Sequence, residues 1–375
     1  MNLFDVYPLF NIELKNGKGC YVYDQNDTKY LDFYGGHAVI SIGHAHPHYI
    51  QRITVQLDQL SFYSNSVQLA IQQQLAEKLG TVSGYIDYNL FLINSGAEAI
   101  ENALKVASFY NNRKKIIAFN GSFHGRTSAA VAITDNPKIK APINSDEHVI
   151  FVPLNDEAAL INAFQENEIC AVVVESIQGL NGIYEPTVSF FQLIEKLCKA
   201  QNAVFIADEI QSGYGRSGKF FAHQYANVQP DIITMAKGMG NGFPIAGILT
   251  HPKFVAKHGM LGTTFGGSPL ACAAGLAVLE VIEKENLIEN AHQIGEYIIA
   301  QCQQIPEIKS IRGKGLMIGL EFDFPIKDLR NKLLFEHRVF VGNSNNANTL
   351  RLLPSMTIGK PEVDIFIHAL KSCLK

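Results

Sequence analysis

The chain reads as an α/β protein: a large domain on a mainly parallel sheet, with a smaller α+β domain beside it. Three observations predict this. Short apolar runs recur through the middle of the chain, helix-period segments separate them, and neither end shows that alternation. The runs are Leu90–Ile93, Ile116–Phe119, Ala171–Val174, Ala203–Ala207, Ile232–Met235 and Gly247–Thr250. Each has strand length and is almost wholly apolar, as a strand covered on both faces tends to be. Between them Ala97, Ile100, Leu104 and Ala107 recur at helical spacing, as do Phe191, Ile194, Leu197 and Cys198. Strand, helix and strand in succession imply parallel pairing. At the start, Gly17-Lys18-Gly19 and Asp24-Gln25-Asn26-Asp27 are turn signals around a strand-like Cys20–Tyr23. Beyond residue 265 come two helical stretches, 269–285 and 287–304, a strand-like 315–322 and an amphipathic helix at 363–374. The predicted division is 50–255 for the large domain and 1–49 with 256–375 for the smaller one.

Of the 375 residues, 47% are hydrophobic and 18% charged, enough apolar material for a large core. Lys+Arg 31 against Asp+Glu 35 leaves a net charge of −4, so no basic face invites nucleic acid or an anionic membrane. The first residues lack a basic segment followed by an apolar one, and no run is long enough to span a bilayer. The six cysteines are scattered without a C-x-x-C pair. The expectation is a reduced, cytoplasmic protein whose function resides in local sites.

Ligands of parallel sheets bind beyond the carboxyl ends of the strands, so the residues after each run matter most. After Ile93, Ser95 with Glu98 forms a capping box and Gly96 permits close backbone approach. Such a helix start suits a phosphate, although an ordinary cap has the same sequence. After Ala207 stands Asp208, a half-desolvated carboxylate that needs a cation or donor, or else a plain N-cap. After Met235-Ala236 stands Lys237 beside Gly238-Met239-Gly240-Asn241-Gly242, either an activated amine or a snorkelling surface lysine. Phe123-His124-Gly125-Arg126 follows the run ending at Phe119 and offers a flat aromatic face and a cation. A phosphate cradle, a buried acid, an amine and an aromatic plate on one sheet edge together describe a pyridoxal phosphate site. His44, His46 and His48 look metal-like, but they are read as sharing a tight turn with no cysteine or carboxylate nearby, so no metal is expected. Neither Gly35-Gly36 nor Gly238-x-Gly240-x-Gly242 fits a nucleotide-binding pattern.

Further motifs carry a resemblance along nearly the whole chain. They are Tyr30-Leu31-Asp32, Gly43-His44-Ala45-His46-Pro47, Asn94-Ser95-Gly96-Ala97-Glu98-Ala99 and Phe123-His124-Gly125-Arg126-Thr127. Gln178-Gly179, Asp208 to Arg216, Ala236-Lys237, and Thr264-Phe265-Gly266-Gly267 before Pro269-Leu270-Ala271 complete the series. In these blocks the chain resembles the class III aminotransferases of the acetylornithine and succinylornithine branch, pyridoxal-phosphate enzymes of fold type I. The resemblance implies that Lys237 carries the cofactor covalently and moves a proton, and that Asp208 pairs with the ring nitrogen. It places Gln211 near the ring 3-oxygen, Phe123 and Ile210 on the ring faces, and Ser95, Gly96 and Ala97 on the phosphate. Thr264 would reach the phosphate of a partner subunit, implying a homodimer with shared sites. Arg126, with Thr263 beside it, matches the residue that takes the α-carboxylate of the amine donor. Arg351 matches the arginine that grips glutamate or 2-oxoglutarate.

One position departs from the family pattern. Where the family has Glu-Pro-x-Gln-Gly-Glu, this chain has Glu175-Ser176-Ile177-Gln178-Gly179-Leu180. The glutamate replaced by Leu180 normally pairs with the arginine at 351, so the guanidinium should stay available unless another acid takes over. The expected activity is transfer of the terminal amine of an N2-acyl-ornithine, acetyl or succinyl, to 2-oxoglutarate in arginine biosynthesis. Ornithine or 4-aminobutyrate aminotransferases and an amine-moving mutase share the chemistry. A non-catalytic phosphate-binding α/β protein is the alternative of another class, with no need for Lys237 and Asp208 together.

Overall fold

The computed structural model describes residues 1–375. Three N-terminal strands, Leu14–Lys18 (β1), Tyr21–Asp24 (β2) and Lys29–Asp32 (β3), form an antiparallel meander. Seven central strands follow: Asn89–Ile93 (β4), Lys115–Phe119 (β5), Val149–Val152 (β6), Ile169–Glu175 (β7), Val204–Asp208 (β8), Ile232–Met235 (β9) and Ala246–Thr250 (β10). They make one sheet in the order β4-β10-β9-β8-β7-β5-β6. All the predicted central runs are strands of this sheet. Pairing is parallel from β9 through β8, β7 and β5 to β6. Only β10 runs against its neighbours β4 and β9. The connection 236–245 between β9 and β10 is too short for a helical crossover, so the strand must return antiparallel.

Every residue of β7 and β8 is buried. Val173 and Ile206 pack with Ile100 and Ile248 on one face of the sheet. Val172, Val174 and Phe205 pack with Phe119 and Phe190 on the other. The continuous apolar runs thus reflect strands buried on both sides. Helix Gly96–Asn111 covers the first face, opened by Ser95 and closed by a left-handed Asn112 (φ 55°). Val188–Gln201 covers the second, capped by Thr187 and ended by Asn202 (φ 54°). Phe205 is 1% exposed and its ring centroid lies 6.2 Å from that of Phe191. Its truncation to alanine should cost about 3–5 kcal/mol, read as a lowered denaturation midpoint at constant slope.

Beyond the sheet come Pro269–Lys284 and Leu287–Cys302, close to the predicted helices, then Ser310–Lys314 (β11), Met317–Glu321 (β12), Val339–Phe340 (β13) and Thr349–Leu352 (β14). The final helix, Lys360–Cys373, begins three residues before its predicted start. β13 pairs in parallel with β3, which ties the first fifty residues to the last hundred. β11, β12 and β14 form a separate antiparallel sheet. No helix is long and apolar enough to cross a membrane.

Candidate active site

The parallel strands end at a cavity of about 650 Å³. β7 and β8 pair in register up to their last residues, so Glu175 and Asp208 stand side by side at its floor. Asp208 Oδ2 accepts from His124 Nδ1 at 2.7 Å, while Oδ1 accepts from the Ile210 amide at 3.0 Å and from Thr234 Oγ1 at 3.3 Å. Glu175 accepts from the amides of Phe123 at 2.9 Å and Gly179 at 3.1 Å. Burial, and then the neighbouring Asp208 charge, raise the Glu175 pKa to about 7, although His124 opposes the rise. Lys237 follows β9 in a left-handed conformation (φ 44°) that turns it into the same cavity. Burial lowers its pKa; Asp208 and Glu175 offset part of that, and Arg351 and Arg216 push it further down. The amine is therefore more readily neutral than a surface lysine.

The phosphate end is built at the start of helix Gly96–Asn111. Ser95 Oγ accepts from the Glu98 amide at 3.2 Å, and the first backbone helical bond runs from Ala99 to Ser95 at 3.0 Å. The amides of Gly96 and Ala97 and the Ser95 hydroxyl proton remain free for an anion. A Cβ on Gly96 would sit 3.0 Å from the Ile210 side chain, so a larger residue would displace the wall of the cavity.

These residues fit pyridoxal phosphate. Asp208 accepts three bonds, and a carboxylate offers about four lone-pair directions, which leaves one for a ring N–H. Gln211 Oε1 is buried without a partner while its Nε2 donates to the His37 carbonyl at 3.1 Å, so an acceptor waits for a donor. Phe123 and Ile210 line the cavity as apolar surfaces.

The cations predicted for substrate also face this space. Arg126 is exposed at its wall. Arg351, on β14, is 1% exposed; its Nε donates to the Asn343 carbonyl at 2.5 Å, and no carboxylate pairs with it. Burial lowers its pKa to about 10. Leu180 lines the same cavity, so no acid has taken over the pairing that the leucine forgoes. Thr263 and Thr264 lie off the cavity of their own chain. The Thr263 hydroxyl accepts from Asn94 Nδ2 at 3.3 Å and from the Gly266 amide at 3.1 Å, and Thr264 is exposed.

Sequence reasoning missed Glu175, His37 and Tyr7, all of which line the cavity. Glu175 obeys the same rule that found Asp208, a carboxylate directly behind an apolar run. The reading of the histidine turn as lacking carboxylates needs correction. His44 meets Asp32 at 2.9 Å, His46 meets Glu285 at 2.9 Å and His48 meets Glu280 at 2.5 Å. Two of these acids arrive from helix Pro269–Lys284 and its end, remote in sequence. Each histidine takes a different acid, and no three such groups are placed to hold a metal ion.

Residues 5–374 match the sequence model of the family described as aminotransferase class-III. The chain is 39% identical to an acetylornithine aminotransferase of Archaeoglobus fulgidus, over 97% of this chain and 96% of the relative. It is 38% identical to that of Bacillus subtilis, over 100% and 97%. An acetylornithine aminotransferase structure from Elizabethkingia anophelis superposes with a TM-score of 0.86 at 28% identity, covering 99% of this chain and 95% of the other. An ornithine aminotransferase from Toxoplasma gondii gives 0.92 at 28% identity, covering 99% and 92%. The predicted fold and transaminase class are borne out, and the non-catalytic binder is set aside. The chain belongs to the class III aminotransferases, enzymes that work with pyridoxal phosphate.

Proposed function

We propose that this enzyme moves the δ-amino group of an N2-acyl-ornithine to 2-oxoglutarate, in two half-reactions that leave an acyl-glutamate semialdehyde and then glutamate. The acetylornithine names of the relatives support the donor class. Pyridoxal phosphate, when bound, supplies an electrophilic carbon for the amine and a ring that delocalises the electron pair left when a C–H bond breaks on the amine-bearing carbon, Cδ of the donor. Lys237 holds the cofactor and, as a base of lowered pKa, moves the proton at the substrate carbon. Asp208, steadied by His124, takes the ring nitrogen; Gln211 takes the ring oxygen; Phe123 and Ile210 flank the ring; Ser95, Gly96 and Ala97 take the phosphate. Arg126 holds the donor's α-carboxylate and Arg351 the keto acid, whereas Thr263, which lies off the cavity of its own chain, would join Arg126 only across a subunit interface.

In the same reading the enzyme is a cytoplasmic homodimer, and Thr264 serves the partner's phosphate site. Helix Pro47–Gln59 has no buried residue and exposes Ile50 and Val55, while Phe62 and Phe265, with rings 5.3 Å apart, are exposed next to Thr264; these are apolar surfaces a second subunit would cover. The large domain is 50–255, and the pairing of β3 with β13 supports joining 1–49 to 256–375.

The observation that selects among acyl groups is the unpaired, buried Arg351 beside Leu180. A free guanidinium favours a donor with an additional carboxylate, by about 1–3 kcal/mol for a charge-assisted pair. N2-succinyl-ornithine should therefore exceed N2-acetyl-ornithine in kcat/KM by roughly 5- to 150-fold, and Leu180→Glu should reverse the order. A wild-type preference for the acetyl compound would reject the succinyl reading. Ornithine or 4-aminobutyrate as the best donor would reject the acyl-ornithine reading altogether, and turnover without keto acid would indicate a mutase.

A further inference from the structure

Residues 35–38 do something that L-amino acids rarely do in succession. Gly35, Gly36, His37 and Ala38 have φ of 55°, 56°, 65° and 67°, one turn of left-handed helix. Gly35 has a specific need for glycine, because a Cβ there would lie 2.7 Å from the Leu353 carbonyl. His37 and Ala38 have no such allowance, and a side chain held in this region strains the backbone. The surroundings enforce the strain. Asp32 Oδ1 accepts from the Gly35 amide at 2.8 Å, the amides of Val39 and Ile40 donate to the Gly35 carbonyl at 2.8 and 2.9 Å, and Gln211 Nε2 donates to the His37 carbonyl at 3.1 Å.

The turn delivers the His37 imidazole to the cavity that Lys237 and Arg351 also line. The Tyr34 hydroxyl lies 2.5 Å from its Nδ1 and 2.8 Å from its Nε2 and can bond only one of them at a time, with the rings 4.7 Å apart. Tyr34 in turn packs where a Cβ on Gly342 would stand, 3.0 Å away, and Gly342 exchanges backbone hydrogen bonds with Arg351 at 2.9 Å each way. His37 and Arg351 are thus braced through one aromatic ring, and neither has a carboxylate partner in the cavity.

We propose that His37 is a substrate-binding residue that grips, together with Arg351, the carboxylate of the incoming keto acid. This rests on the function proposed above and adds a residue to its acceptor site. The groups facing the imidazole are Arg351 from β14, Lys237 from the end of β9, Arg330 from helix Lys327–Phe335, and Tyr34. Burial lowers the His37 pKa, and the charges of Arg351, Lys237 and Arg330 lower it further. An arriving carboxylate offsets those positive charges, so binding draws a proton onto the ring and is tighter at lower pH.

The experiment compares wild type with His37→Asn and His37→Gly, both of which accept a left-handed backbone. In both variants the KM for 2-oxoglutarate and the inhibition constant for glutarate should rise roughly tenfold, as expected for loss of one hydrogen bond to a charged group. The KM for N2-acetyl-ornithine, whose carboxylate is assigned to Arg126, should stay within about twofold. The wild-type KM for 2-oxoglutarate should fall as the pH is lowered, and that slope should be absent from both variants. An unchanged 2-oxoglutarate KM, or a parallel rise for both co-substrates, overturns the proposal in favour of a purely structural turn. A wild-type enzyme that passes no amine to 2-oxoglutarate overturns the underlying function, and this inference with it.

Discussion

Replacing Lys237 by alanine should lower kcat by at least about 10³-fold, because the proposed mechanism gives this one residue two tasks: attaching the cofactor, and moving the substrate proton, a task for which positioned acid–base groups contribute about 10²–10⁴-fold. The phosphate cradle at Ser95 and Gly96, the acid at 208 and the apolar faces of Phe123 and Ile210 do not depend on that amine. The variant should therefore still bind pyridoxal phosphate, with an altered visible absorption. Retained turnover would show that another base does the work. Stability should move the other way. The folded protein lowers the Lys237 pKa, so the unfolded chain binds more protons from the lowered value up to the ordinary 10.5. Below that window the lysine opposes folding, and the opposition fades as pH rises through it. Lys237→Met should thus melt at a higher temperature than wild type when both lack cofactor, with the difference shrinking at alkaline pH.

Much of this arrangement was legible in the sequence, for a reason that also marks its limits. Asp208 and Lys237 stand directly behind apolar runs, and in a parallel sheet that position is the ligand edge. β6 was overlooked although Val149–Val152 is apolar, because half-buried residues and a turn-rich 140–148 surround it. β11 and β14 carry Arg312 and Arg351 within their spans, which hides them from any search for apolar runs. Helix Pro47–Gln59 buries nothing within its own chain, so its pattern does not point to this core. Arg351 is the sharpest case: a cation at 1% exposure violates the expectation for composition, and only the resemblance gave it a role. No sequence pattern announces His37, since its position depends on a left-handed turn braced by Asp32 and Tyr34 just before it and by Gln211 from far along the chain.

Asp208→Asn should lower kcat by about 10²–10⁴-fold with little change in shape. The amide can still accept from the Ile210 N–H and from Thr234, but it offers no negative charge to hold a proton on the ring nitrogen, and electron withdrawal by the ring weakens accordingly. The neighbours make the effect testable beyond rate. His124 is buried with Nε2 already lacking a partner, and its Nδ1 depends on Asp208 Oδ2 at 2.7 Å. If the amide nitrogen faces His124, the imidazole must become an acceptor there and change tautomer; if the amide oxygen does, the ring position receives an N–H where it needs an acceptor. Either way a buried group is mismatched, at a cost of about 1–3 kcal/mol visible in denaturation. Glu175 should respond in the opposite direction, because the Asp208 charge helps to raise its pKa to about 7. Removing that charge lets Glu175 ionise at lower pH, so any limb of the rate profile that follows Glu175 should shift to the acid side in Asp208→Asn. A variant with wild-type kcat and an unmoved profile would mean that the carboxylate at 208 touches neither the ring nor its neighbour's proton.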